Sequence, residues 1–471
     1  MTFISMLFLF LFLPISLAFY YLSNDRAREY VLLAISLLFY SLASLPYLGL
    51  LVVLTVVNVC LGRGIARSAR GPVGTGLLTV GVLLNAGLLA TFKYEKLALS
   101  LFGGCFSSAV QGNSILLPLG LSFFTFKSIS YFADVYSGRA ELAENPVHDA
   151  LYLSFFAQIQ SGPLTRYGDM TLISRGRLDP ALFSDGVFRF LVGFNKKVLL
   201  ADVLAHITAE VFATPIAELS TGFAWLGSVC YSLQLFFDFA GYSDMAIGVS
   251  EMFGYPCMEN FNYPYMTESV SRFWRRWHIS LSSWFRDYIY IPLGGSRCRE
   301  KWRVYCNLLA VWVLTGLWHG TKWNFVVWGL GYFAAISFER LTGLPEKLKS
   351  PVGRFLYRIP VLFFINFQWV MFNARGFREN LRFIAVMLSR QSNALLDSRA
   401  AFLLKDYGCP LALAVVLCFP LVPWLDRKLK DRGKAHLLFE AVLALLVGAG
   451  FLWAVSFLVA GQNNPFVYAN F

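Results

Sequence analysis

The sequence predicts an all-α polytopic membrane protein, on three observations. Of the 471 residues, 57% are hydrophobic and only 14% charged, against about 25% charged in a soluble domain. The mean hydropathy is +0.57. Apolar windows near 20 residues long recur along the chain, the length an α-helix needs to cross about 30 Å of hydrocarbon. A β-barrel is disfavoured, because barrel strands give short alternating segments rather than continuous apolar runs.

The first span, about residues 3–22, lacks a basic start and a small-residue cleavage site, so it reads as a retained helix rather than a signal peptide. Further spans fall at about 30–46, 47–62, 76–92, 114–133, 150–161, 186–212, 222–250, 304–320, 323–341, 355–372, 400–424 and 436–460. Several carry glycine, proline or charge, so about ten to twelve true crossings are expected. The net charge of +12 is read as lysine and arginine in cytoplasmic loops, in reach of anionic lipid headgroups, and not as nucleic-acid binding. The basic loops "SNDRAREY" (23–30) and "GRGIARSARG" (62–71) both face the cytoplasm if the N-terminus and the "SLPY" turn (44–47) lie outside. The loop "DRKLKDRGK" (426–434) then faces inward as well. The 8 cysteines are scattered singly and the 5 histidines are not spaced as ligands, so neither a disulfide framework nor a metal site is expected. No GxSxG elbow, Walker A loop or HExxH is present, which removes support for soluble-type hydrolase, NTPase and metalloprotease readings.

The longest polar interruption, 257–303, carries the chemistry. In "SVSRFWRRWHISLSSWFRDYIYIPLGGSRCREKWR" (269–303) Arg272, Arg275 and Arg276 alternate with Trp274 and Trp277, followed by His278 and the Arg286–Asp287 pair. An interfacial amphipathic helix with snorkelling arginines explains the arginines and tryptophans. A ledge for an anionic donor, such as the phosphates of coenzyme A, also explains them. Upstream, Asp238 and Asp244 stand in apolar sequence, where a carboxylate must pair or face water. Either one neutralises an arginine of the 272–276 cluster, or one orients a catalytic histidine.

His319, in "LTGLWHGTKW" (314–323), is the sharpest candidate. A helix starting near Val304 puts it 15 residues on, roughly 22 Å along the axis, past the midplane from the basic cluster. An imidazole is costly there and suits a general base on an alcohol. Gly316 and Gly320 leave room for a substrate or a neighbouring helix, and Thr315, a turn earlier, is placed to accept a bond from the ring. His148 reads as a loop residue, His206 as packed in an apolar helix and His436 as interfacial.

Long motifs in order carry a resemblance. They include "LPLGLSFFTFKSISYFADVYSG" (117–138), "QIQSGPLTRYGDM" (158–170), "GFNKKVLLADVL" (193–204), "LQLFFDFAGYSDMAIG" (233–248), "ENFNYPY" (259–265), "FWRRWHISLSSWFRDYIYIPLGG" (273–295) and "GLWHGTKWNFVVWG" (316–329). With them the chain resembles the membrane-bound O-acyltransferase (MBOAT) family, and within it the branch that O-acetylates alginate and peptidoglycan. The resemblance implies one MBOAT domain over 1–471, with N-terminal helices to about 112, a core over about 113–390 and C-terminal helices over about 391–471, ringed around a thin centre with a substrate tunnel. It implies His319 as the essential histidine and His278 as the second, with Trp318, Arg272, Arg276, Asp238, Asp244, Asn260 and Asp287 as substrate-binding candidates. It also implies acetyl-CoA as donor with no bound cofactor, an SGNH-hydrolase-like acceptor protein outside the membrane, and a bacterial cytoplasmic membrane location. Lys127 stands where glutamine is expected and Asn373 where arginine is common. D-alanyl transfer to teichoic acid is the second reading, and a transporter or an export-complex scaffold are non-catalytic ones.

Overall fold

The computed structural model describes residues 1–68, 71–94, 117–173, 179–373, 375–389, 394–395, 397–462 and 464–466. Among these residues the regular structure is helical, with no strand, as the apolar windows require. The chain packs as two compact units, one of Met1–Phe190 with Ser243–Met258, the other of Leu191–Tyr242 with Glu259–Phe471. The expected junctions near 112–113 and 390–391, and the start of the expected span at 114, lie outside the described residues.

The first unit holds α1 (Leu13–Leu22), α2 (Arg28–Ser44), α3 (Leu48–Arg67), α4 (Pro72–Lys93), α5 (Leu121–Ser137) and α6 (Pro146–Ser154). Pro46 lies in the 3-10 turn that separates α2 from α3. Pro72 starts α4 at the first turn, where its missing N–H costs nothing. In lipid the hydrophobic effect does not drive helices together, so buried polar contacts and close packing must do so. Asn58 of α3 and Asn85 of α4 exchange amide hydrogen bonds at 3.0 Å in each direction, and Asn58 also donates to Ser128 of α5 at 2.9 Å. His148 is not a loop residue: it is buried in α6, its Nδ1 2.8 Å from Glu29 Oε1. Lys127 is buried too, donating to Gln158 Oε1 at 3.0 Å and lying 4.4 Å over the Tyr152 ring.

Helices α7 (Pro180–Asn195) and α9 (Thr221–Met252) each have residues in both units. The second unit adds α8 (Asp202–Ala213), α10 (Ile279–Phe285), α11 (Lys301–His319), α12 (Trp323–Thr342), α13 (Pro351–Phe372), α14 (Phe377–Met387), α15 (Ser398–Leu417), α16 (Leu421–Leu429) and α17 (Lys434–Val459). Six helical stretches among the described residues are long and apolar enough to cross a membrane: Arg28–Arg67, Pro72–Lys93, Thr221–Met252, Pro351–Phe372, Ser398–Leu417 and Lys434–Val459. The apolar stretch of α9 is 83% buried and that of α17 is 11% buried, so α9 is a core helix and α17 presents its side chains to lipid. Helices α11 and α12 fall outside that set; α11 begins on Lys301 and Arg303 and ends on a histidine. The core of the second unit is aromatic, with Trp277, Trp328 and Trp369 all but fully buried.

Asn58→Leu strands the Asn85 carbonyl in an apolar interior, while the Ser128 hydroxyl keeps its bond to the Phe124 carbonyl at 2.8 Å. It is expected to cost about 1–3 kcal/mol, read as a lower unfolding midpoint in detergent. The double variant Asn58→Leu/Asn85→Leu recovers much of that loss, because both polar ends are gone. Equal losses in the single and double variants would show that the pair does not hold α3 to α4.

Candidate active site

Helix α11 starts three residues earlier than Val304 and ends on His319 itself, with Gly320 extended at φ −176°. The imidazole therefore stands at a helix terminus, where the "GTK" turn leads into α12. Its position follows from a close helix crossing. A Cβ on Gly316 would lie 2.7 Å from the Phe325 carbonyl oxygen, and one on Gly329 would lie 2.5 Å from the Trp312 carbonyl oxygen. Only glycine lets the two backbones approach this closely. The room left by Gly316 is thus filled by a neighbouring helix. Gly320 is covered by the Phe325 ring, 2.3 Å from where its Cβ would be.

The crossing boxes the buried His319 ring between Trp318 at 4.5 Å, Phe372 at 4.9 Å and Trp328 at 5.0 Å, the last two edge-on. The Thr315 hydroxyl donates to its own helix, at the Val311 carbonyl, 2.7 Å away. The chain leaving α13 beside Phe372 is pinned, since Asn324 and Asn380 both donate to the carbonyls of Met371 and Asn373. Asn373 therefore acts through its backbone, and its side chain accepts from the Arg375 N–H at 3.2 Å.

The second histidine is held by backbone geometry that its sequence does not advertise. His278 lies in the left-handed region at φ 45°, between the one-turn helix Val270–Phe273 and α10. A non-glycine residue there costs of order 1–2 kcal/mol, so the surroundings must hold it. Asn260 does so. Its backbone carbonyl accepts from the Ile279 N–H at 2.9 Å. Its Oδ1 accepts from the Ser280 N–H at 3.2 Å and the Ser280 hydroxyl at 2.9 Å, and faces His278 Nδ1 at 3.1 Å. A backbone N–H only donates, so the Asn260 atom is the oxygen and the imidazole proton sits on Nδ1. The Phe239 ring closes on His278 edge-on at 4.5 Å. Burial pushes the imidazole down to about 3, which keeps it neutral.

A cavity of about 610 Å³ lies between this segment and α11. It is lined by Ser271, Trp274 and Arg275, by α10 residues and Arg286, and by Val311, Trp312 and Thr315. It thus reaches to one helical turn from His319. Of the clustered arginines, Arg275 and Arg286 line it, whereas the nominated Arg272 and Arg276 do not. Arg272 is exposed and pairs with Glu268 at 2.7 Å. The backbone of Arg276 accepts from the Asn262 N–H, and Asp287 holds Arg286 at 2.7 Å. The two carboxylates of the apolar stretch do not pair with the arginine cluster. Asp238 lies 2.7 Å from the Lys197 ammonium, which also meets Asp202 at 2.7 Å, all three buried. Asp244 belongs to the first unit and pairs with Arg189 at 3.0 Å. Past the end of α11, Trp323, Val327 and residues 375–379 line a second pocket of about 530 Å³. Among the described residues no group of three His, Cys, Asp or Glu side chains suits a metal ion. His206 is exposed, its ring 6.0 Å from that of Tyr407, and His436 pairs with Asp426 at 2.9 Å.

Residues 145–378 match MBOAT, the membrane-bound O-acyltransferase family. The chain is 40% identical over 425 residues to "Probable alginate O-acetylase AlgI" of Azotobacter vinelandii, covering 88% of this chain and 84% of that one. This chain belongs to the membrane-bound O-acyltransferase family. It is also 31% identical over 516 residues to the "Peptidoglycan O-acetyltransferase" of Helicobacter pylori, covering 99% of this chain and 96% of that one. To the "Teichoic acid D-alanyltransferase" of Bacillus subtilis it is 30% identical over 290 residues, covering 57% and 71%. The protein is a multi-pass membrane O-acyltransferase, and both nominated histidines and the large cavity fall within the matched MBOAT segment.

Two outcomes test this geometry. Gly316→Ala forces a methyl into the Phe325 carbonyl and is expected to cost about 1–3 kcal/mol with loss of acyl transfer. Gly448→Ala, where nothing lies within 4 Å of the added carbon, leaves both unchanged; equal behaviour in detergent melts and transfer assays would dismiss the crossing. Second, His278 is neutral when buried and charges on unfolding below its ordinary value of 6.5. Its contribution to stability is complete above pH 6.5 and falls away as pH drops toward 3. The unfolding midpoint of wild type is therefore expected to fall more between pH 6.5 and 4 than that of His278→Gln.

Proposed function

We propose that this O-acyltransferase moves an acetyl group from cytoplasmic acetyl-CoA to an acceptor on the other side of the cell membrane, for O-acetylation of an alginate-like exopolysaccharide. The observation that carries the reading is the cavity running from Arg275 and Arg286 to Thr315, one turn short of His319. A thioester donor entering there brings its acyl carbon toward the imidazole, with its anionic portion beside the two guanidiniums. His319 takes the proton from an acceptor hydroxyl as the oxygen attacks the thioester carbonyl. The tetrahedral intermediate collapses, the ester forms, and the thiolate leaves and recovers a proton. Trp318, Trp328 and Phe372 hold the imidazole ring in place and keep water from hydrolysing the donor. His278 and Asn260 fix the cavity wall, and Asp287 orients Arg286. Asp238 and Asp244 hold their helices through Lys197 and Arg189.

The acceptor hydroxyl approaches past Trp323 and the 375–379 loop, beyond the far end of α11. In this reading the N-terminus is extracytoplasmic in a bacterial inner membrane, and an SGNH-hydrolase-like protein outside receives the acetyl group. Nucleic acid plays no part, and lipids are the remaining partners. D-alanyl transfer is the second reading, supported by the family of teichoic acid D-alanyltransferases; the greater coverage by relatives named as O-acetylases favours acetyl. A His319→Ala strain with normal protein levels is expected to lose acetyl ester from its surface polysaccharide to the level of a deletion strain, measured by ester release. Unchanged ester would overturn the proposal, and loss of D-alanyl ester instead would select the second reading.

A further inference from the structure

The geometry points to Glu339 as a positioning residue for the donor cavity. It lies in the last turn of α12 and its side chain is buried, 3% exposed. Its carboxylate accepts four hydrogen bonds: from the Val270 N–H at 2.7 Å, the Ser271 N–H at 2.8 Å, the Ser271 hydroxyl at 2.6 Å and the Tyr357 hydroxyl at 3.2 Å. The first two are orphan donors at the start of the one-turn helix Val270–Phe273, which a carboxylate from a distant helix now satisfies. Arg272 and Arg358, next in sequence to Ser271 and Tyr357, pair instead with Glu268. Glu339 is thus stabilised by hydrogen-bond donors, not by an ion pair.

A buried carboxylate is expensive to keep, and what this one fixes is the cavity wall. Ser271, Trp274 and Arg275, which line the cavity, all lie in or next to the one-turn helix that Glu339 caps. Trp274 packs edge-on against Trp312 at 5.0 Å, Tyr332 at 4.9 Å and Trp328 at 5.7 Å. Trp328 in turn meets the His319 ring at 5.0 Å. One carboxylate therefore sets both the position of Arg275 and the near end of an aromatic chain that finishes on the active-site imidazole. Without it the one-turn helix has two unsatisfied N–H groups and keeps only the ring contacts of Trp274 with α12.

The inference rests on the reading of this cavity as the donor site, so its test has one readout that depends on the donor and one that does not. In membranes containing full-length protein, Glu339→Gln puts an NH₂ where one backbone N–H and one hydroxyl donate, and the N–H cannot turn away. It is expected to raise the KM for acetyl-CoA at least tenfold, with kcat and the acceptor KM within about threefold of wild type. Ser271→Ala removes one of the four bonds and gives a smaller rise in the same KM, which keeps the inference testable if Glu339→Gln folds poorly. The donor-independent readout is maleimide labelling of a cavity cysteine, Ser282→Cys, whose rate is expected to change at least tenfold when Glu339→Gln is added. Unchanged labelling together with an unchanged KM overturns the positioning role. Changed labelling, with a rise in acceptor KM or no turnover of acetyl-CoA, upholds the positioning role and overturns the donor assignment.

Discussion

The packing around His319 depends on two helices touching backbone to backbone. With Gly316 of α11 against the Phe325 carbonyl and Gly329 of α12 against the Trp312 carbonyl, the helices cross more closely than any side chain allows. Trp328 precedes Gly329, so the same contact drives its indole into the interior, where it meets His319, Trp312 and Tyr332. In lipid the gain from burying apolar surface between helices is small, and shape complementarity has to supply the association energy. The cost of an ionisable ring at this depth is met by a site that is packed before any substrate arrives.

Several buried polar groups of the second unit are tied at points where the backbone would otherwise be unsupported. Asn260 holds the left-handed His278, Asn324 and Asn380 hold the chain leaving α13, and Glu339 caps the head of the cavity segment. The side chains of Asn260, Asn324, Asn380 and Glu339 are all buried, so each contact is worth more than its surface equivalent and its loss is correspondingly expensive. The irregular stretch 257–303 is broken into short helices, and it receives side-chain support from Asn260 and Glu339. That combination lets non-helical backbone line a cavity in a membrane protein.

The helices and the family were legible in the sequence, because apolar windows report helices and long motifs in order report kinship, and His319 stands out there as an isolated imidazole. Partnerships were not. Nothing in "LFFDFAGYSDM" indicates that Asp238 meets Lys197, 41 positions upstream, while Asp244 six residues on meets Arg189. That Arg275 and Arg286, rather than Arg272 and Arg276, line the cavity is equally hidden, and the left-handed turn at His278 leaves no mark comparable to glycine. Glu339, in "SFERLT", reads as a charged helix end. Only the fold shows that its side chain turns inward. The polar "ENPVHDA" reads as a loop, yet Asn145 and Pro146 are a helix start and the His148 ring is buried.

The size of the cavity bears on where acyl specificity arises. At about 610 Å³ it falls in the range of pockets that enclose whole ligands, roughly 300–1,000 Å³. In the proposed reading a cavity that large does not measure a two-carbon acyl group by fit; it accommodates the arm that carries it. In that reading, discrimination among acyl groups falls to the end near Thr315 and His319, and the wall along Trp274 and Arg275 bears on how the carrier is held. Acyl choice and carrier affinity would then rest on different parts of the cavity, so that a change in one part alters one without requiring a change in the other.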